Sequence, residues 1–430
     1  MKNKDKSREL VKQGIHMHLN GLTLKEVDTY CIQKFNKFNF DIRDKAFVKN
    51  LIMVSVRNRG TIEFIIAKYL ARPLPKKKLD IKAILIMGVA QIIYLRTENY
   101  AAVNSSVNFF IGPLKKWRSL ANAILRKIAL KEEKNKSSYE SKNNVPSWLY
   151  ENWVVQYGEK KTERIIKSIM IEPYIDLKIK QDFNLWKDKI KGVNFFNNTI
   201  RVTKIGDLSK LEGYNDGAWW IQNIAAQIPV MLFKSIKDKE VIDLCAAPGG
   251  KTAQLLNGGA KVIALDVSKK RTDLLLNNIK RLNLSENLNI INKDIRNWKP
   301  LKQSNYLLLD VPCSATGTVR KNPDVIWNRK QEDIIRLSSI QKTLLTEAVK
   351  MVKKGGIIVY CNCSMQNEEG EEVIDYILKE KKVVLDPIKY TELFNYPKEI
   401  INKGLIRTLP YMLEEKGGMD GFFVARLIKI

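Results

Sequence analysis

Apolar residues recur at intervals of three and four over the first 130 residues of the chain. Clear examples are the stretches 47–55 and 81–93. Such spacing gathers the apolar side chains of a helix on one face, where they can pack against neighbouring helices. The pattern therefore predicts an all-α bundle over residues 1–130.

The pattern changes after residue 130. The stretch KEEKNKSSYESKNN, residues 131–144, has little to bury and leads into Pro146, which predicts a linker over 131–146. Residues 147–209 then mix helical and alternating patterns, which predicts a small α/β (RRM-like) domain. Its expected elements are a helix near 160–170 and strands at 175–180 and 199–203.

From residue 240 onward, within the last predicted domain (210–430), short apolar runs alternate with amphipathic segments of helix length. The alternation predicts a parallel sheet covered by helices on both faces, with ligands bound beyond the carboxyl ends of the strands. The chain is thus expected to be multi-domain, with the bundle first, the small α/β domain second and a larger α/β domain last. The predicted strands of this last domain are 241–244, 262–266, 288–291, 306–310 and 356–361, and its longest predicted helices are 268–282 and 331–352.

The charge of the chain points to a polyanionic partner. The 74 Lys and Arg outnumber the 46 Asp and Glu, which leaves a formal charge of +28. Such a field holds nucleic acid through counterion release. An anionic membrane is the second candidate, but the basic stretches are scattered and form no amphipathic strip. Because the sequence also lacks an apolar run of membrane length and a signal-peptide core, we expect a cytoplasmic protein with no membrane partner.

The cysteines and histidines limit the chemistry. Five cysteines, unevenly spaced, are too few for a disulfide framework in a chain of this length, so we expect free thiols. No Cys-x-x-Cys pair occurs, and both histidines, His16 and His18, lie near the N-terminus, so no metal site is expected. The same distribution removes histidine as a general base from the last four hundred or so residues.

The first motif with chemical content is DLCAAPGGKT, residues 243–252, between the first strand of the large domain and its helix. Gly249 and Gly250 allow a ligand to approach the backbone, yet the motif is neither a dinucleotide G-x-G-x-x-G nor a phosphate loop. Asp266, Asp294 and Asp310 then come at the ends of three successive strands. A carboxylate at such an end can accept hydrogen bonds from ribose hydroxyls.

Two further motifs bring cysteines to the ends of strands. DVPCSATGT starts at Asp310 and contains Cys313, and YCNCS ends the following strand with Cys361 and Cys363. Cys313 and Cys363 are expected to face the cofactor crevice. Cys361, like Cys31, is expected to be a buried small apolar residue.

A thiolate and a carboxylate beside a methyl donor suit methylation of carbon 5 of cytosine. That carbon is a poor nucleophile until a thiolate adds to carbon 6, which forms a covalent adduct with enamine character at carbon 5. Asp310 is the carboxyl group expected to hydrogen-bond ring nitrogen 3. Lys251, Arg320 and Lys321 are expected to lower the pKa of the reacting thiol. Spacing alone leaves open which cysteine attacks.

At these motifs the sequence resembles the bacterial ribosomal RNA cytosine-C5 methyltransferases of the RsmB (Sun, Fmu) family, over nearly the whole chain. The segments that carry the resemblance are DLCAAPGGKT, LDVS, DVPCSATGTVRKNPD, YCNCS and GGMDGFFVARL. The helical region also resembles the NusB transcription-antitermination fold, particularly in AAVNSSVNFF and SLANAILRKI. The resemblance implies a NusB-like bundle that helps to bind RNA and, at 210–430, a Rossmann-like class I methyltransferase domain.

The resemblance further implies a cofactor, a substrate and residue roles. S-adenosyl-L-methionine is the expected cofactor. A specific cytosine in small-subunit (16S) ribosomal RNA, before full ribosome assembly, is the expected substrate of a monomeric enzyme. Cys363 is the implied nucleophile, and Cys313 is the implied thiol that assists product release. The implied cofactor contacts are Cys245, Ala246, Ala247, Pro248, Gly249, Gly250, Lys251, Asp266, Asp294 and Asp310.

The sequence departs from the family pattern at two positions. Asn362 stands where the family usually has Thr, and Asn223 where it usually has Asp. RNA contacts are expected at Arg320, Lys321 and Trp220, the last being part of an exposed-looking Trp-Trp pair. Two other functions are compatible with the sequence: methylation of transfer RNA cytosine, and RNA binding or antitermination without catalysis. No residue identifies the target cytosine.

Overall fold

The computed structural model describes residues 3–95, 97–131, 141–203, 206–393 and 395–430. These residues form two compact units. The first is Met1–Met170 with Asn322–Arg329, and the second is Ile171–Lys321 with Lys330–Ile430. Most of the predicted linker, residues 132–140, lies outside the described residues. The domain boundaries at residues 130, 146 and 209 stay predictions.

The helices of the described residues are numbered in chain order. They are α1 (Asn3–Leu19), α2 (Leu24–Lys37), α3 (Ile42–Arg57), α4 (Arg59–Lys68), α5 (Leu79–Ile93), α6 (Asn99–Val107), α7 (Arg118–Lys131), α8 (Ser147–Tyr157), α9 (Glu159–Ile169), α10 (Phe183–Lys189), α11 (Ile224–Met231), α12 (Gly250–Asn257), α13 (Lys269–Arg281), α14 (Val325–Asn328), α15 (Gln331–Lys350) and α16 (Glu371–Lys379). None of them combines the length and apolar character that a bilayer crossing needs.

The strands of the described residues are numbered in the same way. They are β1 (Ile175–Ile179), β2 (Val193–Phe195), β3 (Thr199–Val202), β4 (Trp219–Ile221), β5 (Glu240–Leu244), β6 (Lys261–Leu265), β7 (Leu288–Ile291), β8 (Ser304–Asp310), β9 (Val352–Asn362), β10 (Val383–Leu385), β11 (Ile401–Asn402), β12 (Leu405–Thr408) and β13 (Phe422–Lys429).

The first unit is the predicted helical bundle. Helix α5 is buried from Ile81 to Ile93 apart from Lys82, because its apolar residues surround the whole helix and the other helices cover it. The short segment Asn322–Arg329 belongs to this unit, although it follows the proline-cysteine motif in sequence. There Asp324 accepts a hydrogen bond from the Leu24 amide at 2.9 Å. The all-α expectation for residues 1–130 is confirmed.

The second unit begins with a small antiparallel sheet of strand order β2-β3-β1-β4. Strand β3 lies between β1 and β2, which α10 connects, so the three strands form the split β-α-β unit expected of an RRM-like domain. Leu177, Ile200 and Trp219 are completely buried in its core. Strand pairing extends this sheet to Ile221.

The large sheet has strand order β11-β12-β13-β9-β8-β5-β6-β7, and β10 also pairs with β13. Strands β5 to β9 are parallel to their neighbours within this group, and β13 runs antiparallel to β9. The five predicted strands and both predicted helices are confirmed, because the strands of a sheet covered by helices are mostly apolar runs that end at turn residues. The predicted fold class is therefore confirmed, and the carboxyl ends of β5 to β8 lie at one edge of the sheet.

Candidate active site

A cavity of about 500 Å³ lies where the parallel strands end. This volume is typical of small-molecule sites. The residues singled out from the sequence that line it are Cys245, Ala247, Pro248, Asp266, Asp294, Asp310, Cys313 and Cys363. The other predicted cofactor residues, which the cavity wall does not include, are Ala246, Gly249, Gly250 and Lys251.

The turn after β5 needs glycine at one of those positions. Gly249 precedes α12 with φ of 100°, and a Cβ added there would lie 2.9 Å from Cγ of Leu275. A side chain would therefore be strained in backbone and in space. Cys245, which starts the turn, has φ of 59°, and burial raises the pKa of its thiol well above its usual range. The turn supports the wall of the cavity, and its cysteine holds its proton.

Two aspartates project from the next strand ends. Asp266 accepts hydrogen bonds from the amides of Ser268 at 3.0 Å and Ala247 at 3.3 Å, so it ties the turn after β5 to the end of β6. Asp294 follows β7 and accepts two hydrogen bonds from the Arg296 guanidinium, which lower its pKa. Both residues line the cavity, where their carboxyl groups can accept hydrogen bonds from a ribose or an amine.

Lys251 and Asp310 form an ion pair at the inner end of the site, with Nζ and Oδ2 separated by 2.7 Å. Burial alone would lower the pKa of Lys251, but Asp310 opposes it and the net result is a pKa above the ordinary lysine value. Lys251 is also within electrostatic range of Cys363. The lysine is therefore a fixed positive charge beside the two groups predicted to act on the base.

The two predicted thiols lie together. Sγ of Cys313 and Sγ of Cys363 are 3.4 Å apart, although fifty residues separate them in sequence. The hydrogen bond with Cys363, followed by burial, raises the pKa of Cys313 well above its usual range. Cys313 therefore keeps its proton beside the sulfur of Cys363. Cys31 and Cys361 are buried as expected.

The predicted RNA contacts are not supported by their positions. Trp220 is only 4% exposed and its Nε1 donates to Gln222 at 2.9 Å, so the expectation of an exposed Trp pair is wrong. Arg320 is 3% exposed and donates to the carbonyl of Gly417 at 2.8 Å, which makes it an internal support of the C-terminal loop. Lys321 pairs with Asp420 at 2.6 Å and remains partly exposed.

The two departures from the family pattern have clear local roles. The side chain of Asn362 donates to the carbonyl of Glu369 at 2.7 Å and accepts from the Ser364 amide at 2.9 Å, so it shapes the loop after Cys363. The side chain of Asn223 donates to the buried carboxylate of Asp176 at 3.1 Å. An amide at position 223 therefore satisfies an acceptor that a second carboxylate would repel.

Several functional residues were missed by sequence reasoning. Helix α15 contributes Ile340, Thr343 and Leu344 to the cavity wall at a spacing of three and four residues. That spacing marks one face of the helix, but an amphipathic pattern does not tell which face meets a ligand. Residues beside the predicted aspartates also line the cavity, namely Val267, Lys293, Ile295 and Arg296.

Comparison with known proteins covers both units. Residues 230–428 match the family model for 16S rRNA methyltransferase RsmB/F, and residues 5–130 match the model for the NusB family. Ribosomal RNA small subunit methyltransferase B of Proteus mirabilis is 30% identical to this chain, over 87% of it and 92% of the relative.

Two solved structures show the same fold. The crystal structure of PH0851 has a TM-score of 0.76 at 21% identity, over 98% of each chain. NSun6 from Pyrococcus horikoshii, solved with SFG, has a TM-score of 0.56 at 19% identity, over 66% of this chain and 98% of its own. The resemblance inferred from the motifs thus extends to sequence and fold, and the chain belongs to the 16S rRNA methyltransferase RsmB/F family.

Proposed function

We propose that this protein uses S-adenosyl-L-methionine to methylate carbon 5 of one cytosine in small-subunit ribosomal RNA, through a covalent adduct between Cys363 and carbon 6. The observation that carries the proposal is the pair of thiols 3.4 Å apart in the cavity wall that also holds Asp310. Such an arrangement suits a reaction in which one thiol bonds to the base and a protonated neighbour manages its release. A ribosomal RNA substrate implies that the enzyme works in the cytoplasm.

The cavity fits the proposed cofactor. Asp266 is positioned to accept hydrogen bonds from ribose hydroxyls, and Asp294 to accept one from an exocyclic amine. Val267, Ile295 and Leu344 supply apolar surface for a flat base. When bound, the cofactor would supply an electrophilic methyl group for carbon 5. NSun6, a relative in fold, was solved with SFG, an analogue of this cofactor.

The chain's own groups account for activation of the base. The sulfur of Cys363 forms a bond to carbon 6, and the electron pair of the 5,6 double bond becomes available at carbon 5. Ring nitrogen 3 would take up a proton as the Cys363 thiol gives one up, and its N–H would then donate to the Asp310 carboxylate, which Lys251 holds in place. After carbon 5 is methylated, a base removes its proton and the bond between sulfur and carbon 6 breaks.

Cys313 is the residue we assign to release. Its raised pKa keeps a proton on its sulfur, next to the sulfur that must leave the base. A hydrogen bond from Cys313 would stabilise the departing thiolate of Cys363. Loss of Cys313 should therefore slow elimination more than addition.

The charge and the helical unit support an RNA substrate. A groove of about 540 Å³ between α6 and α7 is lined by Arg118 and Arg126, and by Tyr100, whose side chain is 78% exposed. Arginines and an exposed aromatic ring suit unpaired nucleotides, whose phosphates and bases they can contact. Transfer RNA carries the same chemical groups, so it is the competing substrate in the test.

The test is bisulfite sequencing of ribosomal RNA and transfer RNA after incubation with purified protein and cofactor. We expect one methylated cytosine with the wild type, none with Cys363→Ala, and a protein-RNA adduct that persists on a denaturing gel with Cys313→Ala. Cys31→Ala removes a buried thiol from the helical unit and serves as the matched control, with wild-type methylation expected. Full activity of Cys363→Ala would refute the covalent route, and methylation confined to transfer RNA would refute the substrate.

A further inference from the structure

Glu369 lies just beyond the second cysteine motif and has no solvent exposure. Its Oε1 accepts hydrogen bonds from the Ser314 amide at 2.8 Å and from Nε2 of Gln341 at 2.9 Å. Its Oε2 accepts from the hydroxyls of Ser364, at 2.5 Å, and Ser314. Among the described residues no lysine or arginine pairs with it, so neutral donors alone hold the buried carboxyl group.

Three of the four donor groups come from the two loops that carry the reacting thiols. Ser314 directly follows Cys313, and Ser364 directly follows Cys363. The two serine hydroxyls are also 3.0 Å from each other. One carboxyl group thus bonds to the residue adjacent to each sulfur, so it links the end of β8 to the end of β9.

Glu369 is itself fixed from two other directions. Its backbone carbonyl accepts hydrogen bonds from the hydroxyl of Tyr360 and from the side chain of Asn362, both at 2.7 Å. Gln341, on α15, also donates to the carbonyl of Pro312 at 2.9 Å. If Glu369 moved together with one of the two loops, it would therefore lose its hydrogen bonds to strand β9 and helix α15.

We propose that Glu369 is a positioning residue, whose carboxyl group holds the Cys313 and Cys363 loops together and so maintains the short separation of their sulfurs. The inference rests on the proposed function, because the separation matters for catalysis only if both thiols act on the base. The charge of Glu369 also contributes to the raised pKa of Cys313, which helps that thiol to keep its proton.

Three substitutions separate position from charge. Glu369→Ala leaves the serine and glutamine donors without an acceptor and frees the loops. Glu369→Gln keeps the size, and the two serine hydroxyls can turn to accept from its amide, so position is retained while charge is lost. Glu369→Asp keeps the charge but is one methylene too short to reach both loops. The matched control is Glu392→Ala, which removes a carboxylate from buried Arg426 at a distance from the thiols.

The separation of the sulfurs can be read by disulfide formation in the full chain without RNA or cofactor. Diamide takes two electrons and two protons from Cys313 and Cys363 and becomes the hydrazine, while one bond between the sulfurs forms. A 3.4 Å contact needs little movement to reach the bond length of about 2 Å. Peptide mapping identifies the pair, and the rate is measured as a function of pH.

We expect the rate of Cys313–Cys363 bond formation to fall at least tenfold in Glu369→Ala and to fall in Glu369→Asp. It should persist in Glu369→Gln with its pH profile moved to lower pH. Methyl transfer in a single turnover should fall about 100-fold in Glu369→Ala, as expected for reacting groups misplaced by about 1 Å. Cofactor affinity, measured by calorimetry, should stay within about threefold, because Glu369 does not line the cavity.

Wild-type cross-linking in both Glu369→Ala and Glu369→Asp would overturn the inference, as would an equal loss in Glu392→Ala. If Glu369→Ala does not fold, Glu369→Asp and Glu369→Gln still decide the question, since only the former should slow cross-linking. A wild-type protein that cross-links as expected but methylates no RNA would refute the proposed function while leaving the positioning role of Glu369 in place.

Discussion

Asp243 is buried near the end of β5, just before the turn that follows this strand, and its pKa predicts an unusual dependence of stability on pH. Burial raises the pKa of its carboxyl group from 3.8 to about 7, and a hydrogen bond from the Thr252 hydroxyl at 2.6 Å only partly opposes this. The folded protein therefore binds this proton more tightly than the unfolded chain does. Because the folded-state pKa is the higher one, stability should fall as pH rises from about 4 to about 7.

The size of the effect follows from the shift. Roughly three pKa units at 1.36 kcal/mol each correspond to about 4 kcal/mol once the group is fully ionised above pH 7. About 2 to 3 kcal/mol of this penalty develops between pH 5 and pH 8. Asp243→Asn removes the titration but keeps an acceptor for Thr252. Relative to the wild type, the variant should therefore gain about 2 to 3 kcal/mol of stability between those pH values.

Hydrogen exchange followed by mass spectrometry measures this difference in stability between Asp243→Asn and the wild type in the full chain. Peptides from β5, β6 and β8 report the opening free energy of the large sheet, and comparing variant and wild type at each pH cancels the intrinsic exchange rate. Thr252→Val is the matched variant and should have the opposite effect. Losing the hydroxyl should raise the pKa of Asp243 further, so the loss of stability with rising pH should become larger than in the wild type. A stability difference between wild type and Asp243→Asn that does not change with pH would refute the reasoning.

Three other substitutions test the site. Asp266→Asn should weaken cofactor binding about 10- to 100-fold by calorimetry, through loss of charge-assisted hydrogen bonds, and unchanged affinity would contradict its role. Gly317→Ala would put a Cβ 1.9 Å from the carbonyl oxygen of Gly421, so thermal unfolding should show a loss of about 2 kcal/mol or more, and a neutral result would count against that contact. Asn223→Asp should cost about 1 to 3 kcal/mol in urea unfolding at pH 8 and less at pH 5, because it faces the Asp176 carboxylate; an equal cost at both would argue against charge repulsion.

The parallel half of the large sheet could be predicted from the sequence because helices cover it and its strands are mostly apolar. Residues 241–244 and 288–291 are short apolar runs that end at turn residues, and they form β5 and β7 within one residue of the predicted bounds. Strands β10 to β12 gave no comparable pattern, since they are only two to four residues long; β10 and β12 pair with β13, and β11 pairs with β12. Such short strands depend on tertiary contacts that local sequence does not encode.

The solvent exposure of individual side chains was predicted least well from the sequence. Trp220 and Arg320 both stand beside functional motifs, and aromatic or basic residues in such places often contact RNA. Trp220 instead lies in β4 with its indole nitrogen bonded to Gln222, and Arg320 supports the carbonyl of Gly417. Burial arises from how the small sheet and the C-terminal loop fold over these residues. A pattern of neighbouring residues along the chain cannot report it.

The spacing of the two cysteine motifs left open which thiol attacks, and the structure explains why. Both cysteines follow parallel strands at the same edge, so topology makes them equivalent. Their surroundings differ. The pKa of Cys313 is raised by its hydrogen bond to Cys363, by its burial and by the negative charge of Glu369. Glu369 stands in the run EEGEE, which is typical of a solvent-exposed helix start, and only the folded chain reveals the donors around it. The motifs thus identify the two thiols, whereas the difference between Cys313 and Cys363 depends on residues outside any motif.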